Sequence, residues 1–148
     1  MMSLCVRYTK NEIDARSILN TGFLKVFRNI HLFDPAKATF YTWIRTIVVN
    51  CCLDHIKIQQ GSVITDELQD ATEVHIEPEI NAKLNGKELL SLIRNLPAAT
   101  QAVFNLYIME GYGHKEIGML LQISEGTSKW HLSEARKNLK LQLQQEKI

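Results

Sequence analysis

The sequence predicts an all-α protein of two small helical domains joined by a linker, the C-terminal one a helix-turn-helix. Three observations support this fold class. Apolar residues recur at helical spacing in both parts of the chain, and no stretch alternates as a β-strand would. The length of 148 residues suits one ordinary domain or two small ones. An acidic segment containing Gly61, Pro78 and Gly86 separates the two helical parts.

The charge distribution divides the chain in the same places. Residues 1–58 carry eight basic and four acidic residues, whereas residues 59–86 carry one basic and six acidic residues. Residues 87–148 carry eight basic and six acidic residues. We therefore predict a first domain at 1–58, a linker at 59–86 and a second domain at 87–148. Two basic domains favour a polyanionic partner, although excesses this small also suit an ordinary solvated surface.

Composition and cysteine usage exclude several classes of protein. The 45% of apolar residues is typical of a globular chain, and the longest apolar run, 106–109, is far too short to span a membrane. The N-terminus lacks a signal-peptide pattern, so we expect a cytoplasmic protein without membrane insertion. Cys5, Cys51 and Cys52 are expected to be small core residues, with a redox role for the Cys51–Cys52 pair as the minor alternative. No metal-ligand spacing occurs, and neither a metal nor a cofactor is expected.

Two helices are predicted in the first domain. Asn11 is a candidate N-cap, with Asp14 at the third helical position as in a capping box. The helix that follows carries one apolar stripe at helical spacing: Ile13, Ile18, Leu19, Phe23, Val26, Phe27 and Ile30. After a turn at Asp34-Pro35, a second helix runs to about Ile58. Its apolar stripe consists of Phe40, Trp43, Ile44, Ile47, Val48 and Cys51.

The second domain is predicted to contain four helices. A short helix covers Glu88–Asn95, and Pro97 stands where a new helix starts. That helix, with Val103, Phe104, Tyr107 and Ile108 at helical spacing, ends at Gly111 and Gly113. The last two helices are predicted at His114–Leu121 and from Glu125 to about Gln144, with Ser124 as the cap of the last one.

The last two helices have the arrangement of a DNA-binding helix-turn-helix, in which the second helix lies in the major groove. Leu132, Ala135 and Leu139 are expected to face inward. Trp130 is equally compatible with packing on the bracing helix and with contact to thymine methyl groups. Lys140 flanks the outward face. The predicted DNA-contact residues of this helix are Thr127, Ser128, Lys129, Trp130, His131, Glu134, Arg136 and Lys137.

Both halves of the chain resemble parts of one family, the extracytoplasmic-function (ECF) sigma factors. Residues 96–141 resemble region 4 of these proteins, and residues from Val6 to about Ile58 resemble region 2. The region 4 match rests on Leu96-Pro97, Glu110-Gly111, Lys115-Glu116-Ile117, Ile123-Ser124, Gly126-Thr127, Lys129, Ala135-Arg136 and Leu139. The region 2 match rests on Val6-Arg7-Tyr8, Asn11, Asp14-Ala15, Gly22-Phe23, Val26-Phe27, Phe40, Trp43, Ile47 and Val49-Asn50.

The resemblance implies a protein that binds core RNA polymerase and directs it to promoter DNA, with no catalysis, small-molecule substrate or cofactor. An anti-sigma factor is a further implied partner. Region 2 would bind the polymerase clamp through Asp14, Ile18, Phe23, Val26 and Phe27. It would open the −10 element with Tyr41, Thr42, Trp43, Arg45 and Asn50. Phe40 and Trp43 are expected to pack mainly in the core. Region 4 would read the −35 element with the DNA-contact residues of the last helix given above.

Several features depart from the family pattern. The family has a further helix before Val6, which this chain is expected to lack, and this would leave region 2 with less to pack on. Arg16, Asn20 and Thr21 stand where acidic side chains are usual on the polymerase-binding helix. Gly113 replaces a capping serine, at a cost of about a few tenths of a kcal/mol.

Three alternative classes remain open. A regulator with a two-component output domain has a similar helix-turn-helix, although residues 6–58 lack the alternating strands and helices of a receiver domain. A truncated sigma factor could act by binding an anti-sigma factor without supporting transcription. An enzyme is the least favoured class, because no H-E-x-x-H, Walker or G-x-S-x-G motif occurs.

Overall fold

The structure, a computed structural model, describes residues 1–59 and 85–145, which belong to two compact units. Within these ranges every regular element is helical, so the predicted all-α class is confirmed. The main helices are α1 (Met2–Tyr8), α2 (Glu12–Arg28), α3 (Phe40–Gln59), α4 (Gly86–Arg94), α5 (Ala98–Phe104), α6 (His114–Leu121) and α7 (Glu125–Gln145). Residues 60–84, most of the predicted linker, lie outside the described residues.

The first unit contains a helix that the sequence analysis did not anticipate. Residues Met2–Tyr8 form α1, which packs on both α2 and α3. Its buried side chains are Leu4, Cys5 and Tyr8, which lie on one side of a helix at this spacing. These seven residues thus give α2 and α3 a further packing partner.

Helix α2 packs on α3 and approaches it closely at a glycine. Asn11 caps the helix as predicted, its side chain accepting a hydrogen bond from the Asp14 backbone N–H at 2.8 Å. The buried face consists of Ala15, Ile18, Gly22 and Val26. A Cβ atom on Gly22 would lie 3.1 Å from Cγ2 of Val48, so α2 and α3 approach closely there. Of the predicted apolar stripe, Ile13, Phe23, Phe27 and Ile30 are exposed, whereas Ile18 and Val26 are buried.

The cysteines are buried and carry free thiols, as expected of core residues. A hydrogen bond from Cys52 on α3 lowers the pKa of the Cys5 thiol on α1, against the opposing effect of burial. Burial raises the pKa of the Cys51 thiol. This hydrogen bond between two free thiols links α1 to α3 and does not join the adjacent Cys51 and Cys52.

The second unit begins with a capped helix and contains a π-helical turn. The Asn85 side chain accepts hydrogen bonds from the backbone N–H groups of Lys87 and Glu88, both at 3.0 Å. Helix α5 continues into a π-helical turn at Asn105–Met109, where the Glu110 N–H donates to the Asn105 carbonyl at 3.0 Å. The wider turn rotates the chain, and Ile108 is exposed instead of continuing the predicted buried stripe.

Gln122, which ends α6, adopts a left-handed conformation with φ of 58°. Because a side chain strains this conformation, we expect Gln122→Gly to raise the free energy of unfolding by about 0.5–1 kcal/mol. Urea unfolding followed by Trp130 fluorescence in a Trp43→Phe background would measure it. The matched control is Gln144→Gly in the last turn of α7, which lacks the left-handed conformation and should destabilise by less than about 0.5 kcal/mol. Equal losses for both variants would contradict the strain at Gln122.

Candidate nucleic-acid interface

The helix-turn-helix is formed by α6 and α7, whose bounds agree with the prediction to within one residue. Ser124 caps α7 as predicted, its hydroxyl oxygen accepting from the Thr127 N–H at 3.0 Å. The turn is tight, since a Cβ atom on Gly118 would lie 2.8 Å from the Ile123 carbonyl oxygen. Leu132, Ala135 and Leu139 of α7 are buried, which confirms the predicted inward face.

Three of the predicted DNA-contact residues are buried, and two of them hold α7 against neighbouring helices. Ser128 bonds to Nδ1 of His114 at 2.9 Å, which joins α7 to α6. His131 bonds through Nδ1 to the Thr100 hydroxyl at 2.9 Å, which joins α7 to α5. Thr127 accepts a hydrogen bond from the Ser124 hydroxyl at 2.9 Å. The expectation that Thr127 and His131 lie on the outward face is therefore corrected, and the DNA-contact candidate Ser128 has no exposed surface.

The outward face of α7 is a strip of cationic side chains. The exposed cationic residues are Lys129, Arg136, Lys137 and Lys140. Lys129 and Arg136 lie about two helical turns apart. Such side chains suit contact with phosphates. Glu125 and Glu134 moderate the charge, because Lys129 lies 3.3 Å from Glu125 and Lys137 lies 3.7 Å from Glu134.

Two half-buried side chains complete this strip. Trp130 packs edge-on against the ring of His131, with ring centroids 4.9 Å apart, so part of the indole is held against the domain. Ser133, which the sequence analysis did not name, follows Lys129 by four residues and precedes Arg136 by three. It therefore shares their face. The spacing from the buried Leu132 and Ala135 is the signal that would have identified it.

In the first unit, the start of α3 carries an aromatic cluster of Phe33, Phe40 and Trp43. Their ring centroids lie between 5.1 and 5.9 Å apart. Phe40 is 45% exposed, so the expected core role is corrected to a surface cluster. Phe33 was missed, because it lies in the loop outside both predicted stripes.

The predicted −10 residues on α3 divide between two faces. Tyr41 and Arg45 are one helical turn apart, and Tyr41 is exposed whereas Arg45 is half-buried. Trp43 and Asn50 are two turns apart on another face, where Asn50 is exposed rather than buried. Thr42 is exposed and bonds to the hydroxyl of Thr39 at 2.9 Å. The structure thus places Tyr41 and Arg45 on one face of α3, and Trp43 and Asn50 on another.

The predicted polymerase-binding residues on α2 also divide. Ile18 and Val26 are each 4% exposed, so their assignment to the contact surface is corrected to core packing. Asp14 is half-buried, accepts from the Asn11 side-chain amide at 2.9 Å and lies 3.8 Å from His55. Phe23 and Phe27 are exposed.

An apolar surface on α2, which we call the α2 face, was missed in part. It is formed by Ile13, Leu24 and Phe27, which are 80%, 49% and 74% exposed. The three residues share one side of the helix, opposite the buried Gly22. Leu24 and Phe27 are three residues apart and adjoin, whereas Ile13 lies 11 residues before Leu24, about 16 Å along the helix. Adjoining exposed apolar side chains are typical of a protein-binding surface.

Among residues 1–59 and 85–145, no group of His, Cys, Asp and Glu side chains could hold a metal ion. None of the helices that the structure describes is both long and apolar enough to cross a membrane.

Comparison with known proteins identifies both units. Residues 1–61 match the family model of Sigma-70 region 2, and residues 86–139 match that of Sigma-70, region 4. The chain is 26% identical to the ECF RNA polymerase sigma factor SigE of Mycolicibacterium smegmatis, over 93% of this chain and 54% of that protein. It is 27% identical to the ECF RNA polymerase sigma factor SigW of Bacillus subtilis, over 95% of this chain and 81% of that protein. The chain thus spans about half the length of the first relative.

A solved structure has the same fold. It is the sigma factor RpoE in complex with the anti-sigma factor NepR from Bartonella quintana, which is 17% identical with a TM-score of 0.63. The likeness covers 97% of this chain and 89% of that one. Because the two family models together match more than half of the chain, and its relatives include ECF sigma factors, the chain belongs to the sigma-70 family as an extracytoplasmic-function sigma factor.

Proposed function

We propose that this chain binds core RNA polymerase and directs it to promoter DNA for transcription initiation. The observation that carries the proposal is the packed helix-turn-helix that leaves a cationic strip of α7 exposed. We further propose that the chain has no catalytic activity and no cofactor of its own. It would work in the cytoplasm, where polymerase and chromosome meet. Residues 1–58 and 87–148 would act as separate modules joined by the linker 59–86.

In this proposal α7 reads the −35 duplex from the major groove. Lys129, Arg136, Lys137 and Lys140 would contact phosphates. Trp130, Ser133 and Glu134 are the side chains left to meet base edges, and Glu134 suits acceptance of a hydrogen bond from cytosine. Thr127, Ser128 and His131 would set the orientation of α7 from inside the domain.

Removal of one phosphate contact should change the salt dependence of DNA binding. We expect Arg136→Ala to weaken binding to all duplex sequences alike and to lower the slope of log K against log salt by about one. Fluorescence anisotropy with a random-sequence duplex over a range of salt concentrations would measure this slope. Lys87→Ala, an exposed lysine on α4 outside the helix-turn-helix, is the matched control and should leave the slope unchanged. A slope unaltered in Arg136→Ala would remove this residue from the DNA interface.

The start of α3 would capture the −10 strand. Exposed aromatic rings can stack on unpaired bases, while a cation holds the backbone. Phe40, Tyr41 and Trp43 supply the rings, with Thr42 and Arg45 beside them. Asn50 lies two turns farther along α3, on the same face as Trp43, and would contact the DNA beyond it.

The α2 face, with Phe23 at its border, would dock on the clamp of core polymerase. Its apolar character compensates for the acidic side chains that Arg16, Asn20 and Thr21 replace. The sigma factor of the solved structure is bound to an anti-sigma factor. We propose a protein of that class as a second partner of this chain.

Run-off transcription with purified chain, cognate core polymerase and a library of genomic fragments tests the proposal. We expect transcripts that require the chain and whose upstream regions share two spaced elements. A chain that co-migrates with an anti-sigma factor but supports no transcript would instead favour the alternative in which the chain acts only by binding an anti-sigma factor. A chain that binds neither core polymerase nor promoter DNA would overturn the proposal.

A further inference from the structure

His114, the first residue of α6, lies where three elements meet. Its Nδ1 bonds to the hydroxyl of Ser128 on α7 at 2.9 Å. Its ring stacks on Tyr107 of the π-helical turn, with centroids 4.6 Å apart and planes inclined by 20°. Ser128 has no exposed surface, so Nδ1 faces inward. Because the residue is only half-buried, Nε2 remains for a partner outside the protein.

The charged groups around this imidazole are those of the cationic strip. Burial lowers the pKa of His114, and the positive charge of Lys129 and, more weakly, of Arg136 acts in the same direction. Glu125 opposes them, although its carboxylate also lies 3.3 Å from the Lys129 ammonium group. In the free protein the imidazole is therefore mainly neutral near pH 7.

The remaining neighbours do not offset these cations. On α6 itself, Lys115 and Glu116 are both exposed, and the Glu116 carboxylate accepts a hydrogen bond from the Gly113 N–H at 2.8 Å. From the π-helical turn, the group that faces His114 is the ring of Tyr107. A polyanion that approaches the cationic strip of α7 thus makes the environment of His114 favourable to the positive charge of a protonated imidazole.

We propose that His114 binds a DNA phosphate in its protonated form, so that duplex binding takes up one proton from solvent. The inference rests on the proposed function of α7. A phosphate beside Lys129 and Arg136 reverses the sign of the local potential and raises the affinity of the imidazole for a proton. In the protonated ring, Nδ1–H donates to Ser128 and Nε2–H donates a charge-assisted hydrogen bond to the phosphate.

The sign of the pH dependence follows from this linkage. Above the pKa of the bound state, His114 is neutral in both states and affinity is lowest. As the pH falls between the pKa of the bound state and that of the free state, only the complex gains the proton, and affinity rises. Below the pKa of the free state both forms are protonated and affinity levels off. A pKa difference of one unit gives about a tenfold gain in affinity.

The test measures binding of the full chain to a fluorescein-labelled random-sequence duplex, at constant ionic strength between about pH 5.5 and pH 8. We expect wild type to bind about tenfold more tightly at the acid end. His114→Gln should lose most of this dependence, and His114→Arg should bind tightly at both ends, because guanidinium stays charged and can stack on Tyr107. His31→Gln, an exposed histidine of the first unit, is the matched control and should retain the wild-type profile.

A second measurement does not depend on the folding of any variant. NMR titration of the wild-type His114 ring protons should show a higher pKa with the duplex than without it. Parallel pH profiles for wild type and His114→Gln, or an unchanged pKa, would overturn this inference and leave the function of α7 standing. Failure of wild type to bind duplex at any pH would overturn both.

Discussion

Gly118→Ala is expected to lower the free energy of unfolding of the second domain by about 2–3 kcal/mol, although alanine favours helix by about 1 kcal/mol. The new Cβ would lie 2.8 Å from the carbonyl oxygen of Ile123. That oxygen belongs to the backbone of the tight turn, so it cannot move aside as a flexible side chain can. The turn would have to open, which would displace α7 relative to α6 and weaken duplex binding as well.

The same substitution at Gly126 is a matched control. A Cβ there lies 3.8 Å from its nearest neighbour, the Ser124 hydroxyl oxygen, so Gly126→Ala should be neutral or stabilise by up to about 1 kcal/mol. Urea unfolding followed by Trp130 fluorescence in a Trp43→Phe background reports on this domain alone. Equal unfolding midpoints for the two alanine variants would contradict the steric argument.

Phe27→Ala is expected to weaken binding to core polymerase by about 10–100-fold while leaving the stability of the first domain nearly unchanged. Phe27 is 74% exposed, so its removal leaves no cavity in the free protein. Large aromatic side chains at the centre of an interface commonly contribute about 1.5–3 kcal/mol to binding. Leu24, which precedes Phe27 by three residues on the α2 face, would exclude water from the contact.

Competition for core polymerase against a labelled wild-type chain would measure this effect, with thermal unfolding as the check on stability. Ile58→Ala removes an equally exposed apolar side chain, 80% accessible, from the end of α3 and should compete as well as wild type. If Phe27→Ala competes as well as Ile58→Ala, the α2 face is not the polymerase-binding surface.

The parts of the fold that follow from local signals were predictable. The bounds of α6 and α7 depend on Gly113, Ser124 and the apolar spacing of Leu132, Ala135 and Leu139, all of which are visible in sequence. The cap at Asn11 is of the same kind. Such elements are determined by residues a few positions apart, so no tertiary information is needed.

The errors arose where distant residues determine the environment. Gly22 and Ala15 allow α2 to approach α3 closely, and this turns the larger apolar residues Ile13 and Phe27 outward. An apolar stripe does not by itself distinguish a core face from a partner face. Ser128 and His131 look like surface residues in sequence, because their partners, the half-buried His114 and the buried Thr100, lie 14 and 31 residues away in the chain.

Helix α3 runs without glycine or proline from the aromatic cluster at Phe40 to the core residues Val48–Ile56. The proposed −10 surface is therefore an extension of the folding core and not an attached loop. The conformational entropy of this segment is lost when the domain folds, so little of it remains to be lost when a strand binds. Through the same continuity, a strand captured at Phe40 should slow amide hydrogen exchange as far along the helix as Leu53.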